Sequence, residues 1–124
     1  MIYLAVALGG ALDALSHFGM GHWLADSRYA HLHLATFVVN VICALLIGVL
    51  FVGAERFTLS EPARLGMSVG FLGVFTTFSA FSLQLLTDIQ EGQVLRAVFL
   101  TAAMVFLCLI SCLVGMELAR SIFD

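Results

Sequence analysis

Lysine is absent from this chain of 124 residues, and charged side chains of any kind make up only 10% of it. An average soluble domain contains about 25% charged residues. The five arginines are scattered and the formal net charge is −3, so the sequence offers no basic patch for nucleic acid. The three cysteines are an odd number inside apolar runs, which gives neither a disulfide framework nor the spacing of a metal motif. We interpret them as small packing residues.

Hydrophobic residues make up 62% of the chain and its mean hydropathy is +1.12. A chain of this size could not hide so much apolar surface from water. Four apolar runs, at about residues 2–24, 33–53, 65–86 and 95–118, are long enough for a bilayer-spanning helix, which needs about 20 residues. We therefore predict an all-α integral membrane protein with four transmembrane helices in a single domain, residues 1–124. The first run lacks a basic leader and a cleavage pattern, so we expect it to be a retained span.

The arginines are almost evenly divided between the two sides of the predicted membrane. With four spans, Arg28 and Arg96 face one side, whereas Arg56, Arg64 and Arg120 face the other. The positive-inside rule needs a clear excess of Lys and Arg to set the orientation. The sequence therefore permits insertion in both orientations and antiparallel pairing of two copies, and a weak bias toward one orientation is the alternative.

The third run contains the segment GFLGVFTTFSAFS at residues 70–82, with two glycines, two threonines and two serines. Non-helical backbone at membrane depth is tolerated only where the freed polar groups are buried in protein or line a cavity. Freed carbonyl oxygens suit a small hard cation. We predict that the third helix is broken near its middle. A continuous helix whose small residues pack against a neighbour is the alternative.

Two kinds of side chain in these runs suit an anion. Phe78 and Phe81 lie at helical spacing, and the edge of an aromatic ring is electropositive. Asn40 lies inside the second run, and its amide offers two N–H donors. The ordinary alternatives are a phenylalanine stripe that faces the core or the lipid, and an asparagine that makes a helix–helix hydrogen bond.

Asp13 and His17 lie four residues apart in the first run, so they share a helix face and could pair. A carboxylate within a membrane span is a functional candidate by default. The alternative is a structural Asp–His pair beside a water-filled vestibule.

The segment at residues 70–82 resembles the signature of the CrcB/Fluc family of fluoride channels. A second similarity is ATFVVN at residues 35–40, which resembles the start of the family's second span. The order of elements and the length also agree, so the resemblance covers essentially the whole chain. It implies a passive, fluoride-selective channel rather than an enzyme, an antiparallel dual-topology dimer in the inner membrane, and export of cytoplasmic fluoride.

The resemblance also implies roles for individual residues. Phe78 and Phe81 correspond to paired phenylalanines whose ring edges contact fluoride, and Asn40 corresponds to a pore-lining asparagine. The accompanying pore hydroxyls are those of Thr77, Ser79 and Ser82. The backbone carbonyls of Gly73 and Thr76 correspond to those that hold a structural sodium ion at the dimer centre.

The first span departs from the family pattern, since Asp13 replaces a small residue and His17 replaces an arginine. These two vestibule candidates leave two alternatives open. The chain could be a small proton-coupled multidrug or cation exporter that uses Asp13. It could also be a non-conducting partner subunit of a heterodimeric fluoride channel, although a homodimer is the expectation.

Overall fold

The computed structural model describes residues 1–25, 34–72 and 78–123, and every regular element in this part of the chain is a helix. The predicted all-helical fold is confirmed. The elements are α1 (Ile2–Ala25), α2 (Leu34–Arg56), α3 (Glu61–Leu65), a π-helical segment (Gly66–Leu72), α4 (Phe78–Gln90) and α5 (Val94–Phe123).

Three of the described helices are long and apolar enough to cross a bilayer, namely Ile2–Met20, Thr36–Arg56 and Val94–Phe123. They coincide with the first, second and fourth predicted spans. The third predicted span, residues 65–86, is divided among α3, the π-helical segment and α4, none of which is long enough by itself. Residues 73–77, where the break is predicted, lie outside the described part of the chain. The fourth crossing and the break therefore stay predictions.

Helix α3 begins where its local sequence favours a helix start. Ser60 has an extended backbone, Glu61 lies in the first turn, and Pro62 is among the first helical residues. Proline is tolerated there because the first N–H groups of a helix have no intrahelical acceptor. A carboxylate in the first turn also interacts favourably with the helix dipole.

The tightest packing in the described structure joins α2 and α5, which form the most extensive helix pair. A Cβ atom added to Gly48 would lie 2.2 Å from the carbonyl oxygen of Cys112, and one added to Gly115 would lie 2.1 Å from that of Leu45. Helices in a bilayer associate largely through van der Waals packing, so small residues that allow backbones to approach favour the contact. The Ser111 hydroxyl adds a hydrogen bond across the pair to the carbonyl of Val41, at 2.8 Å.

Helix α1 packs on the π-helical segment in the same way. A Cβ atom on Gly70 would lie 2.6 Å from the carbonyl oxygen of Val6, and one on Gly66 would lie 3.0 Å from that of Ala5. The two glycines are four residues apart, which places both on one side of the segment. Because Gly66 and Gly70 have no side chains, α1 lies directly against the backbone of the π-helical segment.

The connection between α4 and α5 is shorter than predicted. The third predicted span ends at residue 86, whereas α4 continues to Gln90, so Asp88 lies within the helix and is 1% exposed. Its carboxylate accepts a hydrogen bond from the guanidinium of Arg96 at 2.9 Å. The chain turns at Gly92, whose φ of 79° favours glycine. Removing Arg96 would therefore take a cationic partner away from the buried Asp88 carboxylate.

Large apolar side chains cover the outer faces of α1 and α5. Soluble proteins rarely expose contiguous apolar surface on this scale, whereas lipid solvates it. The most exposed of these side chains on the two helices are Tyr3, Leu4, Leu12, Leu15, Phe18 and Trp23, and Leu95, Val98, Phe99, Phe106, Leu109 and Ile122. The chain is therefore a multi-pass membrane protein.

The close α2–α5 contact predicts that one added methyl group will strongly lower the stability of the protein. We expect Gly115→Ala to lower the Tm in detergent and to cost about 1–3 kcal/mol of stability, because the helices must separate to accommodate the Cβ atom. Gly19→Ala is the matched control, since nothing lies within 4 Å of its added Cβ atom. Thermal unfolding followed by circular dichroism measures both. Equal Tm values for the two variants would contradict the packing described here.

Candidate functional site

Asn40 is a buried polar residue on the second helix. Its side chain is 8% exposed, and its Nδ2 atom donates a hydrogen bond to the carbonyl oxygen of Thr36, one turn earlier, at 2.8 Å. This bond lies within α2, so in the described residues Asn40 does not make the helix–helix bond that was the alternative interpretation. An amide carries two N–H donors, and within the described residues Asn40 uses one of them.

Gln84 connects the fourth helix to this position. Its Nε2 atom donates to the hydroxyl of Thr36 at 2.9 Å, and Thr36 is itself 4% exposed. The Oε1 atom of Gln84 is buried without a hydrogen-bond partner in the described structure. The buried Thr36 and Asn40 and the half-buried Gln84 therefore form a polar cluster between α2 and α4, which we call the amide cluster.

The sequence analysis did not single out Gln84 or Thr36. A polar amide inside an apolar run, three residues after Phe81, was the available signal for Gln84. The distance of 48 residues between Gln84 and Thr36 explains why their pairing was not foreseen, since no local pattern links them.

Phe78 and Phe81 lie together at the start of α4. Their ring centroids are 6.2 Å apart and the ring planes are inclined by 57°. This is within the distance range of favourable aromatic pairs. Phe81 is 7% exposed and shares a face of α4 with Gln84, whereas Phe78 is 77% exposed in the single chain. Phe81 therefore belongs to the interior beside the amide cluster, and Phe78 faces outward.

The predicted hydroxyls differ in what they can offer a ligand. Ser82 donates to the carbonyl oxygen of Phe78 at 2.8 Å, so its proton is engaged within α4. Ser79 lies in the first turn of α4 and is exposed. Thr77 and the two carbonyl positions predicted for a sodium ion, Gly73 and Thr76, lie outside the described residues.

Asp13 and His17 lie on α1. Asp13 is 2% exposed, and the two side chains interact electrostatically across one helical turn. The Oδ1 atom of Asp13 is buried and has no hydrogen-bond partner in the described structure. A carboxyl group in this position would oppose an anion when charged and could donate a hydrogen bond when protonated.

Among the described residues, no group of three or more His, Cys, Asp or Glu side chains could hold a metal ion. The described residues instead place the buried Phe81 on the face of α4 that carries Gln84, whose amide bonds to Thr36. These groups lie in a part of the chain that is otherwise apolar. Such an arrangement can replace part of the hydration shell of a small anion.

Comparison with known proteins identifies the family to which this chain is similar. Residues 4–116 match the family model described as CrcB-like protein, Camphor Resistance (CrcB). The chain is 38% identical over 120 residues to the fluoride-specific ion channel FluC of Thermus thermophilus, covering 97% of this chain and 94% of the relative. It is similarly 38% identical to FluC of Pseudomonas fluorescens Pf-5, covering 96% and 97%. FluC of Methylococcus capsulatus is 41% identical over 122 residues, covering 94% of this chain and 51% of that protein.

The bond between Gln84 and Thr36 predicts a measurable contribution to stability. We expect Thr36→Val to lower the stability in detergent by roughly 0.6–2 kcal/mol, because Gln84 then loses its described partner in a buried position. Thr101→Val is the control, because the described hydrogen bond of the Thr101 hydroxyl is to the Ala97 carbonyl within its own helix. Chemical or thermal unfolding of both variants is the measurement. A penalty no larger for Thr36→Val than for Thr101→Val would show that the bond does not hold α4 to α2.

Proposed function

We propose that the chain is a passive, fluoride-selective channel. The chain belongs to the CrcB-like family, and the relatives to which it is similar are fluoride-specific ion channels rather than enzymes. The observation that carries the proposal is the amide cluster of Thr36, Asn40 and Gln84. These polar groups are buried beside Phe81 within helices that are otherwise apolar. Such groups are costly to bury and persist where they serve a ligand.

The proposed pathway replaces water around fluoride with protein groups. The second N–H of the Asn40 amide donates to the ion, and the electropositive edges of Phe78 and Phe81 contact it. The hydroxyls of Thr77, Ser79 and Ser82 line the path next to the phenylalanines. A narrow site of fixed donors favours a small anion, because a larger ion cannot exchange its hydration shell for the same groups.

Direction and location follow from electrostatics. A passive channel carries fluoride down its electrochemical gradient, and an inside-negative potential favours outward movement of an anion by about 2.3 kcal/mol per 100 mV. Export of cytoplasmic fluoride across the inner membrane is therefore the proposed role. The energy source is the gradient itself, so the mechanism needs no catalytic group.

We propose an antiparallel, dual-topology homodimer as the conducting form. The outward-facing ring of Phe78, 77% exposed in the single chain, supports a second copy that covers it. The near balance of arginines between the two sides supports insertion in both orientations. A heterodimer with a second, related chain is the alternative assembly.

The proposed dimer holds a structural sodium ion through the backbone carbonyls of Gly73 and Thr76. The family resemblance and the preference of hard cations for oxygen ligands support this part of the proposal. A bound cation between two copies would fix their relative position, so its role is in assembly rather than in transport.

A second candidate function has one observation in its favour. The buried carboxyl of Asp13, with an oxygen that lacks a hydrogen-bond partner in the described structure, is the group that a small proton-coupled exporter requires. In that case transport would depend on a pH gradient and on the ability of Asp13 to bind a proton.

Fluoride efflux from liposomes that contain the purified chain tests the channel proposal. We expect Phe81→Ile to slow efflux by about tenfold or more, because the side chain stays apolar but loses a ring-edge interaction of roughly 1.4 kcal/mol. Phe99→Ile is the control, since Phe99 is 71% exposed on α5 and should leave efflux unchanged. Equal effects of the two substitutions would place the fluoride path elsewhere.

The Asp13→Asn variant separates the two candidate functions in the same liposomes. A passive channel should keep fluoride efflux with Asn at this position, and the removal of a buried carboxylate should not slow it. Loss of efflux in Asp13→Asn, together with dependence of the wild-type rate on an imposed pH gradient, would favour the proton-coupled exporter.

A further inference from the structure

A pocket of about 320 Å³ lies between α2 and the helical segments that follow it. One wall is α2, and the opposite wall is formed by α3 and the π-helical segment. The residues that line it are Ile47, Leu50, Phe51 and Ala54 on α2, and Arg64, Leu65 and Ser68 opposite. We call it the α2–α3 pocket. It lies nearer the end of α2 than Thr36 and Asn40 do, so it is separate from the amide cluster.

The α2 wall of the pocket is a continuous apolar stripe. Its four residues follow the spacing that places side chains on one face of a helix. At 1.5 Å of rise per residue, the stripe from Ile47 to Ala54 is about 10 Å long. Ala54 lies just before the end of α2 at Arg56, so the stripe runs from the end of the span toward the bilayer interior. A groove of this shape fits part of an acyl chain.

Arg64 supplies a positive charge at the outer end of the pocket. The span on α2 ends at Arg56 and the next helix begins at Glu61, so Arg64 lies about one turn from the bilayer surface. Its side chain is exposed, and within the described structure it forms no hydrogen bond or ion pair with another side chain, Glu61 included. A guanidinium offers paired N–H donors that match the oxygens of a phosphate group.

Another arginine at the same end of the molecule differs in its surroundings. Phe57 and Phe123 pack edge to face, with ring centroids 4.9 Å apart, which places the ends of α2 and α5 together. Arg120, in the last turn of α5, forms an ion pair with Glu117 and does not line the pocket. Its charge is therefore already compensated, whereas the charge of Arg64 is available to a ligand in the pocket.

We propose that the α2–α3 pocket binds one anionic phospholipid, with the phosphate on the guanidinium of Arg64 and an acyl chain along the α2 stripe. Basic pockets between membrane helices bind lipid headgroups through such pairing. A free phosphate would leave the apolar stripe uncovered. An apolar face of a second copy would leave the Arg64 charge without a counterion. An amphipathic anion satisfies both parts of the pocket, and its binding is independent of fluoride transport.

Native mass spectrometry of the chain in detergent counts the lipids that it retains. The chain is incubated with equal amounts of phosphatidylglycerol and phosphatidylcholine that carry the same palmitoyl and oleoyl chains, so that the two lipids differ only in the headgroup. We expect one phosphatidylglycerol per chain, with about fivefold preference over phosphatidylcholine, the effect of one arginine beside an anionic headgroup. Arg64→Gln should remove this preference, and substitution of an exposed side chain should not prevent folding.

Arg120→Gln is the matched control, because it removes one positive charge from the same end of the molecule but outside the pocket. It should keep the fivefold preference. Thermal unfolding gives a second readout, since a ligand that binds only the folded chain raises its Tm. Phosphatidylglycerol should raise the Tm of wild type and Arg120→Gln more than that of Arg64→Gln. Inorganic phosphate should not displace the bound lipid.

Three results would overturn the lipid site. Equal losses of preference in Arg64→Gln and Arg120→Gln would show that the lipid responds to the overall charge of this end and not to the pocket. Displacement by inorganic phosphate would show that Arg64 holds an anion without an acyl chain. Absence of retained lipid from the chain in its oligomeric form would show that another copy covers the pocket. All three can be read whether or not the chain conducts fluoride.

Discussion

The close approach of α2 and α5 at Gly48 and Gly115 is the constraint on which the described structure depends. Backbone atoms of the two helices come so near that neither glycine could carry a Cβ atom without displacement of a helix. Helix α2 carries Thr36 and Asn40, so the glycine contact fixes the position of the amide cluster relative to α5. In a bilayer, where lipid tails solvate apolar side chains as well as protein does, this shape-based packing is what distinguishes one helix arrangement from another.

The polar side chains buried among these apolar helices are the ones on which the proposed function rests. The chain has few of them, and those that are buried are mostly engaged: Asn40 with Thr36, Thr36 with Gln84, and Asp88 with Arg96. A buried oxygen of Asp13 and one of Gln84 have no hydrogen-bond partner in the described structure. A buried polar atom without a partner is costly, and positions of this kind are where a ligand or a proton is best accommodated. One of these oxygens, Oε1 of Gln84, belongs to the amide cluster.

Much of the fold could be predicted from sequence, because hydrophobic length decides which segments cross a bilayer. The first, second and fourth spans agree with the described helices, and the family resemblance is confirmed by the comparisons. The third span was harder to predict, because α3 begins before the predicted start at residue 65, a π-helical segment follows it, and α4 extends past residue 86. The bond from Gln84 to Thr36 was not foreseen, because periodicity reports which side of a helix is apolar and not which helix it meets. The roles assigned to Phe78, Phe81 and Asn40 stay predictions.

Passive conduction of fluoride is the central claim, and its most direct measurement is the reversal potential of the current through the purified chain in a planar bilayer. With a fluoride gradient and symmetric pH, the account predicts a current that reverses at the fluoride equilibrium potential. Adding a pH gradient or a chloride gradient should not shift this value. A reversal potential that moves with the pH gradient, or the absence of any fluoride current from a well-folded chain, would contradict a self-sufficient fluoride channel.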